Sequence, residues 1–115
     1  MSELTELRDT LRAFAAERDW DQFHSPKNLA SALAVEAAEL LEPFQWLTEE
    51  QSRNLSDKQR TAVIEELADV QIYLIRLADK LQVDLLQAVR EKIVRNAEKY
   101  PASLFKGSAR KYSDT

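Results

Sequence analysis

The chain has 115 residues, 44% hydrophobic and 31% charged, with a formal charge of −4, no cysteine, one glycine and three prolines. These proportions exclude a disordered chain, and so few turn-forming residues argue against a many-stranded sheet and for an all-α fold. The lack of cysteine excludes disulfides, thiolate metal sites and cysteine nucleophiles, and the acidic balance excludes a general attraction to nucleic-acid polymers.

At this length one domain is expected, near the size at which oligomerisation adds stability; we place it over residues 1–105, with a C-terminal tail over 106–115. The opening MSELTELRDT is acidic and amphipathic, with no basic n-region and no long apolar stretch. Neither a signal peptide nor a membrane span is expected, and the cytoplasm is the expected compartment. Ser2 caps a first helix to about Arg18, in which Leu4, Leu7, Leu11, Phe14 and Ala15 form a packing stripe. The polar loop RDWDQFHSPKN follows, carrying Trp20, Phe23 and His24. From pattern alone its aromatics read as a small satellite core and its histidine as a surface or capping residue, although loops also carry binding residues.

Ser25 followed by Pro26 starts a second helix. In it Leu29, Leu33, Glu36 and Leu40 share one narrow stripe, so Glu36 occupies a position meant for an apolar residue, and Glu39 lies one turn on. Pro43 ends or kinks this helix near Leu41, and Phe44, Gln45 and Trp46 follow. Thr48 to Gln51 and Ser56 to Gln59 have capping-box spacing; the first begins a short helix and the second a long one from about Asp57 to Leu81. There Val63, Glu66, Val70, Tyr73 and Leu77 form a stripe that Glu66 interrupts, with Asp69 a turn further on. Spacing leaves open whether Glu65 or Glu66 partners Asp69. The run VQIYLIRLA over 70–78 is apolar on nearly every side and is expected in a subunit interface. Asp84 to Gln87 begins the last long helix, which Pro101 ends after Tyr100, and ASLFKGSARKYSDT with Lys106, Arg110 and Lys111 reads as a frayed terminus.

Carboxylates are rarely buried unless paired or bound to metal. Two helices that each break an apolar stripe with an acid, and carry a second acid one turn on, therefore predict a shared cation site. Oxygen-only donors point to a hard cation, Mg²⁺, with Mn²⁺ also compatible.

Glu36-Ala37-Ala38-Glu39 and Glu66-Leu67-Ala68-Asp69 resemble the ExxE and ExxD motifs of the all-α nucleoside triphosphate pyrophosphohydrolases related to MazG. The resemblance extends through FAAERDWDQFH, ELLEPFQW, EELADVQIYLIRLA, VDLLQAV, KYP and KGSARKYSDT, and is to the dCTP pyrophosphatase branch. It implies a four-helix-bundle-like fold completed by oligomerisation, with dimers pairing into a homotetramer. It also implies Mg²⁺-dependent house-cleaning hydrolysis of dCTP or a modified dCTP to the monophosphate and pyrophosphate, by attack of a metal-bound water on the α-phosphorus. By motif position Glu36, Glu39, Glu66 and Asp69 would be the metal-binding and catalytic residues, which selects Glu66 over Glu65. Trp20, His24, Trp46 and Tyr73 would contact base and sugar, and Lys92 and Asn96 phosphate or sugar. Pro43 and Ala38 depart from the family pattern. The alternatives are a related enzyme preferring dUTP or another non-standard nucleotide, and a non-catalytic helical oligomer that binds nucleotide or Mg²⁺.

Overall fold

The computed structural model describes residues 2–110, and all regular structure among them is helical. The chain divides into two compact units, Met1–Val83 and Asp84–Thr115. The first contains α1 (Glu3–Glu17), a 3-10 turn (Asp21–Phe23), α2 (Pro26–Leu41), α3 (Glu49–Arg53) and α4 (Asp57–Lys80); the second contains α5 (Leu85–Lys99) and α6 (Ala102–Phe105). No described helix is long and apolar enough to cross a membrane. Lys111 and the rest of the KYSDT segment lie outside the described residues.

The helix starts follow from capping chemistry. The Ser2 and Ser25 hydroxyls accept from the backbone N–H groups of Thr5 and Asn28, each at 3.1 Å, and Thr48 and Ser56 form reciprocal capping boxes with Gln51 and Gln59. At Asp84 only half the box forms: its carboxylate accepts from Gln87 N at 3.0 Å, while the Gln87 amide instead reaches Glu91 at 3.1 Å. α2 stops at Leu41 as Pro43 requires. Proline has no N–H to offer the Glu39 carbonyl, which accepts from Glu42 N at 3.2 Å instead, and successive turns carry the chain past Trp46.

α1 and α4 end in the same way. Trp20 N donates to Ala15 O at 2.9 Å and Asp19 N to Ala16 O at 3.1 Å; at α4, Val83 N donates to Ala78 O at 2.9 Å and Gln82 N to Asp79 O at 3.0 Å. Both are Schellman closures, which place one residue in the left-handed region. Asp19 (φ 54°) and Gln82 (φ 56°) take positions that glycine usually fills. The hydrophobic contact that accompanies such a closure is present too: Trp20 meets Phe14 edge-on at 5.7 Å, with the Arg18 guanidinium 3.6 Å from the Phe14 ring centre.

α4 packs chiefly on α2 and secondarily on α1. Ala15, Leu29 and Ile75 are enclosed, and the predicted stripe residues Leu33, Leu40, Val63, Val70, Tyr73 and Leu77 are half-buried. The α1 stripe divides, since Leu7 and Phe14 remain exposed. In the second unit, residues 102–105, the last of the expected domain, form α6. Phe105 is buried, meets the Tyr100 ring edge-on at 4.9 Å and has the Arg110 guanidinium 5.5 Å from its centre. An apolar anchor thus orders a segment that its terminal position alone would leave loose.

Because Gln82 bears the steric cost of a left-handed backbone, Gln82→Gly is expected to stabilise the protein by roughly 0.5–1 kcal/mol, raising the melting temperature by about 2–6 °C in calorimetry.

Candidate functional site

Two contacts mark the α2–α4 register. Glu66 meets Glu36 near the middle of both helices, and Arg76 meets His24 at the start of α2, so the helices run antiparallel. That arrangement turns two local acid pairs into one cluster. Glu36, Glu39 and Glu66 each bring a carboxylate oxygen to within 4.8 Å of the others. Glu36 and Glu66 each have an Oε2 enclosed with no hydrogen-bond partner, although their side chains as a whole are only half-buried. Asp69 is half-buried one turn beyond Glu66, and its charge reaches Glu36. Glu65 is exposed.

Burial comes first among the causes that push the Glu36 carboxyl up to about 7, followed by the Glu39 and Glu66 carboxylates and the charge of Asp69. Unpartnered carboxylate oxygens at this spacing match the needs of a hard divalent cation, which takes oxygen ligands and neutralises crowded negative charge. The residues present therefore fit a metal, and the group can hold one.

The base-contact candidates lie at different distances from solvent. Tyr73 is half-buried on α4, two turns past Glu66 and on nearly the same face. Trp46, beyond the Pro43 turn, is 87% exposed. Trp20 is 45% exposed and packs edge-on against Phe14 of α1, while Phe23 is 59% exposed, so the loop's two aromatics do not form the satellite core expected of them. His24 is half-buried after the 3-10 turn, its Nδ1 3.1 Å from Arg76 Nη2. In the second unit, Lys92 and Asn96 are exposed on α5. The nearby charge of Lys99, with some burial and the charge of Arg95, holds the Lys92 ammonium below its ordinary value.

A second polar cluster was not singled out by sequence reasoning. Arg76 is only 4% exposed; its Nη2 donates to Asp21 Oδ1 at 3.1 Å and its Nη1 lies 3.5 Å from Asp79 Oδ2. Arg12 pairs with Asp79 through two nitrogens, and Lys80 Nζ donates to Asp21 Oδ1 at 2.5 Å. With Ala16 and Gln82 these five charged residues line a cavity of about 420 Å³. The available signal was Arg76 itself, the one charge in VQIYLIRLA.

The sequence pattern of the MazG-like family matches residues 32–115. A dCTP pyrophosphatase 1 from Mus musculus is 50% identical over 113 residues, and the one from Homo sapiens 47%; each match covers 96% of this chain and 66% of the relative. The chain thus spans about two thirds of the length of these relatives. A pyrophosphatase from Archaeoglobus fulgidus, known from a crystal structure, superposes with a TM-score of 0.82 at 40% identity, covering 88% of this chain and 94% of that one.

The raised Glu36 value has a sign that can be tested. The folded chain keeps this proton to about 7, whereas the ordinary value is 4.5, so between them the folded state holds more protons than the unfolded. The stability from this group is complete below the unfolded value and is lost as pH rises through the folded one. The metal-free protein is therefore expected to melt at progressively lower temperature from about pH 5 to about pH 7.5. Glu36→Gln should flatten that decline, and so should a divalent cation, which binds the deprotonated form. Scanning fluorimetry across the pH series measures all three. Asp21, held low by Lys80 and Arg76, and Asp79, held low chiefly by Arg12, act in the opposite sense, but only below the ordinary carboxylate range.

Proposed function

Because the chain belongs to the MazG-like family, we propose that it is a nucleoside triphosphate pyrophosphohydrolase that converts dCTP or a modified dCTP to the monophosphate and pyrophosphate. The observation that carries the reading is the cluster of Glu36, Glu39 and Glu66, assembled from the two helices that also hold the family's acidic motifs. The dCTP pyrophosphatases that match over nearly the whole chain support the choice of base.

Glu36, Glu39, Glu66 and Asp69 would hold the metal, and hard oxygen donors favour Mg²⁺ over softer ions, with Mn²⁺ compatible. When bound, the metal supplies Lewis acidity, charge neutralisation at the phosphates and a lowered pKa for water. The chain's own residues do the rest. Glu36 or Glu39 accepts the proton of the water that attacks the α-phosphorus. The proton passes to the carboxylate as the new P–O bond forms and pyrophosphate leaves. Tyr73 and His24 contact the base or sugar, and the exposed Trp46 and the free face of Trp20 offer stacking surfaces. Stacking is shared by every base, so base choice rests on hydrogen bonds. Lys92 and Asn96 are assigned to phosphate or sugar, and the repulsion at Lys92 is of the kind an anion relieves. The reaction is placed in the cytoplasm.

The subunits are proposed to pair into dimers and then a homotetramer. Exposed Ile64, Leu67 and Ile72 on α4 support this, as do Val89, Ile93 and Val94 on α5, because such apolar surface is normally covered.

Glu66→Ala is expected to reduce pyrophosphate release more than about a hundredfold while leaving the helical circular-dichroism spectrum unchanged. A panel of dCTP, 5-methyl-dCTP, dUTP, dTTP and ribonucleotides with product analysis ranks the base. Binding without pyrophosphate release from any of them would replace the enzyme reading with that of a sensor. Light scattering tests assembly: Leu67→Glu should shift the tetramer to smaller species.

A further inference from the structure

We infer that Arg76 is a positioning residue: it fixes His24 as a neutral imidazole with its proton on Nε2, so that the ring's far edge presents one hydrogen-bond donor to an acceptor on the substrate base. The argument starts from the 3.1 Å contact between Arg76 Nη2 and His24 Nδ1. A guanidinium carries only N–H donors. Nδ1 must therefore accept, which leaves the single proton on Nε2 and excludes the imidazolium in this arrangement. Burial and the adjacent Arg76 charge both hold His24 below its ordinary value, in agreement with a neutral ring.

Arg76 is itself held rigidly. Asp21 shares its Nη2, Asp79 approaches its Nη1, Lys80 braces Asp21, and Arg12 braces Asp79. The stability of the pair does not explain the residue's presence. Arg76 Nε is enclosed with no partner, and a buried guanidinium with an unmet donor is costly where an apolar side chain would serve. Position supplies the link to the acidic cluster. Arg76 follows Asp69 by seven residues, two helical turns or about 10 Å along α4, on the same face, with Tyr73 between them. His24 thereby lies along the same α2–α4 contact as the carboxylates, offset by the ten residues between Glu66 and Arg76, about 15 Å of helix.

A donor that cannot switch tautomer discriminates between pyrimidines. Cytosine N3 accepts a hydrogen bond, whereas uracil and thymine carry N3–H, which would meet Nε2–H donor to donor. This role rests on the proposed contact between His24 and the base; the tautomer does not.

His24 is the only histidine, so ¹⁵N-histidine labelling of the full chain yields one imidazole to observe. The expected spectrum near neutral pH shows a protonated Nε2 and a bare Nδ1. In Arg76→Met the single tautomer should give way to a mixture, and KM for dCTP should rise about five- to tenfold with kcat within about twofold. A protonated Nδ1 in the unmodified protein, or an unchanged tautomer in folded Arg76→Met, overturns the inference. If Arg76→Met does not fold, Asp21→Asn at the exposed carboxylate carries the test, with a weaker tautomer bias expected and an unaltered one overturning it. Loss of the tautomer with unchanged KM overturns the base contact alone. Absence of pyrophosphate release by the unmodified protein overturns the proposed function while the tautomer result stands.

Discussion

Three carboxylates kept within 4.8 Å of one another between two packed helices are the constraint on which this structure turns. Like charges at that spacing repel, and enclosing the Glu36 and Glu66 oxygens removes the water that would screen them. Neither helix can relax the strain alone. α4 is fixed by a full capping box at one end and a Schellman closure at the other, and α2 by Ser25 and Pro26 at its start and Pro43 just past its end. The apolar stripe on either side of each acid supplies the packing that holds the carboxylates together.

The same helix carries a second charged cluster built on the opposite principle. Around Arg76 every carboxylate has a cation: Asp79 has Arg12 and Arg76, and Asp21 has Arg76 and Lys80. Around Glu36 the charged groups that act on its carboxyl, Glu39, Glu66 and Asp69, are all acids, and with burial they push it up to about 7. A closed ionic network organises its surroundings, whereas a concentration of one sign of charge is a site for a counter-ion. Under the proposed function the acids would serve phosphate chemistry and the Arg76 network the base.

Much of this was legible from residue order, for identifiable reasons. Glu36 and Glu66 betrayed the site because each interrupts a stripe whose other members are apolar, a pattern that needs only helical periodicity to detect. Ser25-Pro26, Thr48, Ser56 and Pro43 marked helix ends because capping and proline effects act within four residues. The features that escaped depend on contacts distant in sequence or on unusual residues in ordinary roles. His24 and Arg76 are 52 residues apart, and no local pattern pairs them. Asp19 and Gln82 occupy left-handed positions where a reader looks for glycine, in a chain with one glycine. α6 hangs on Phe105, whose burial against Tyr100 is a tertiary fact.

Trp20 shows why a residue can answer to two readings at once. Its backbone N–H closes α1 and its ring packs on Phe14, so a structural role fully accounts for its presence. That role also determines where the remaining ring surface points, since a Schellman closure fixes the direction in which the chain leaves the helix. The 3-10 turn after it then sets His24 and Asp21 against Arg76. A cap that would otherwise be a detail of helix stability thus becomes the hinge that aims two of the candidate base contacts. A substitution at Asp19 that disturbs the left-handed backbone would displace both without touching either.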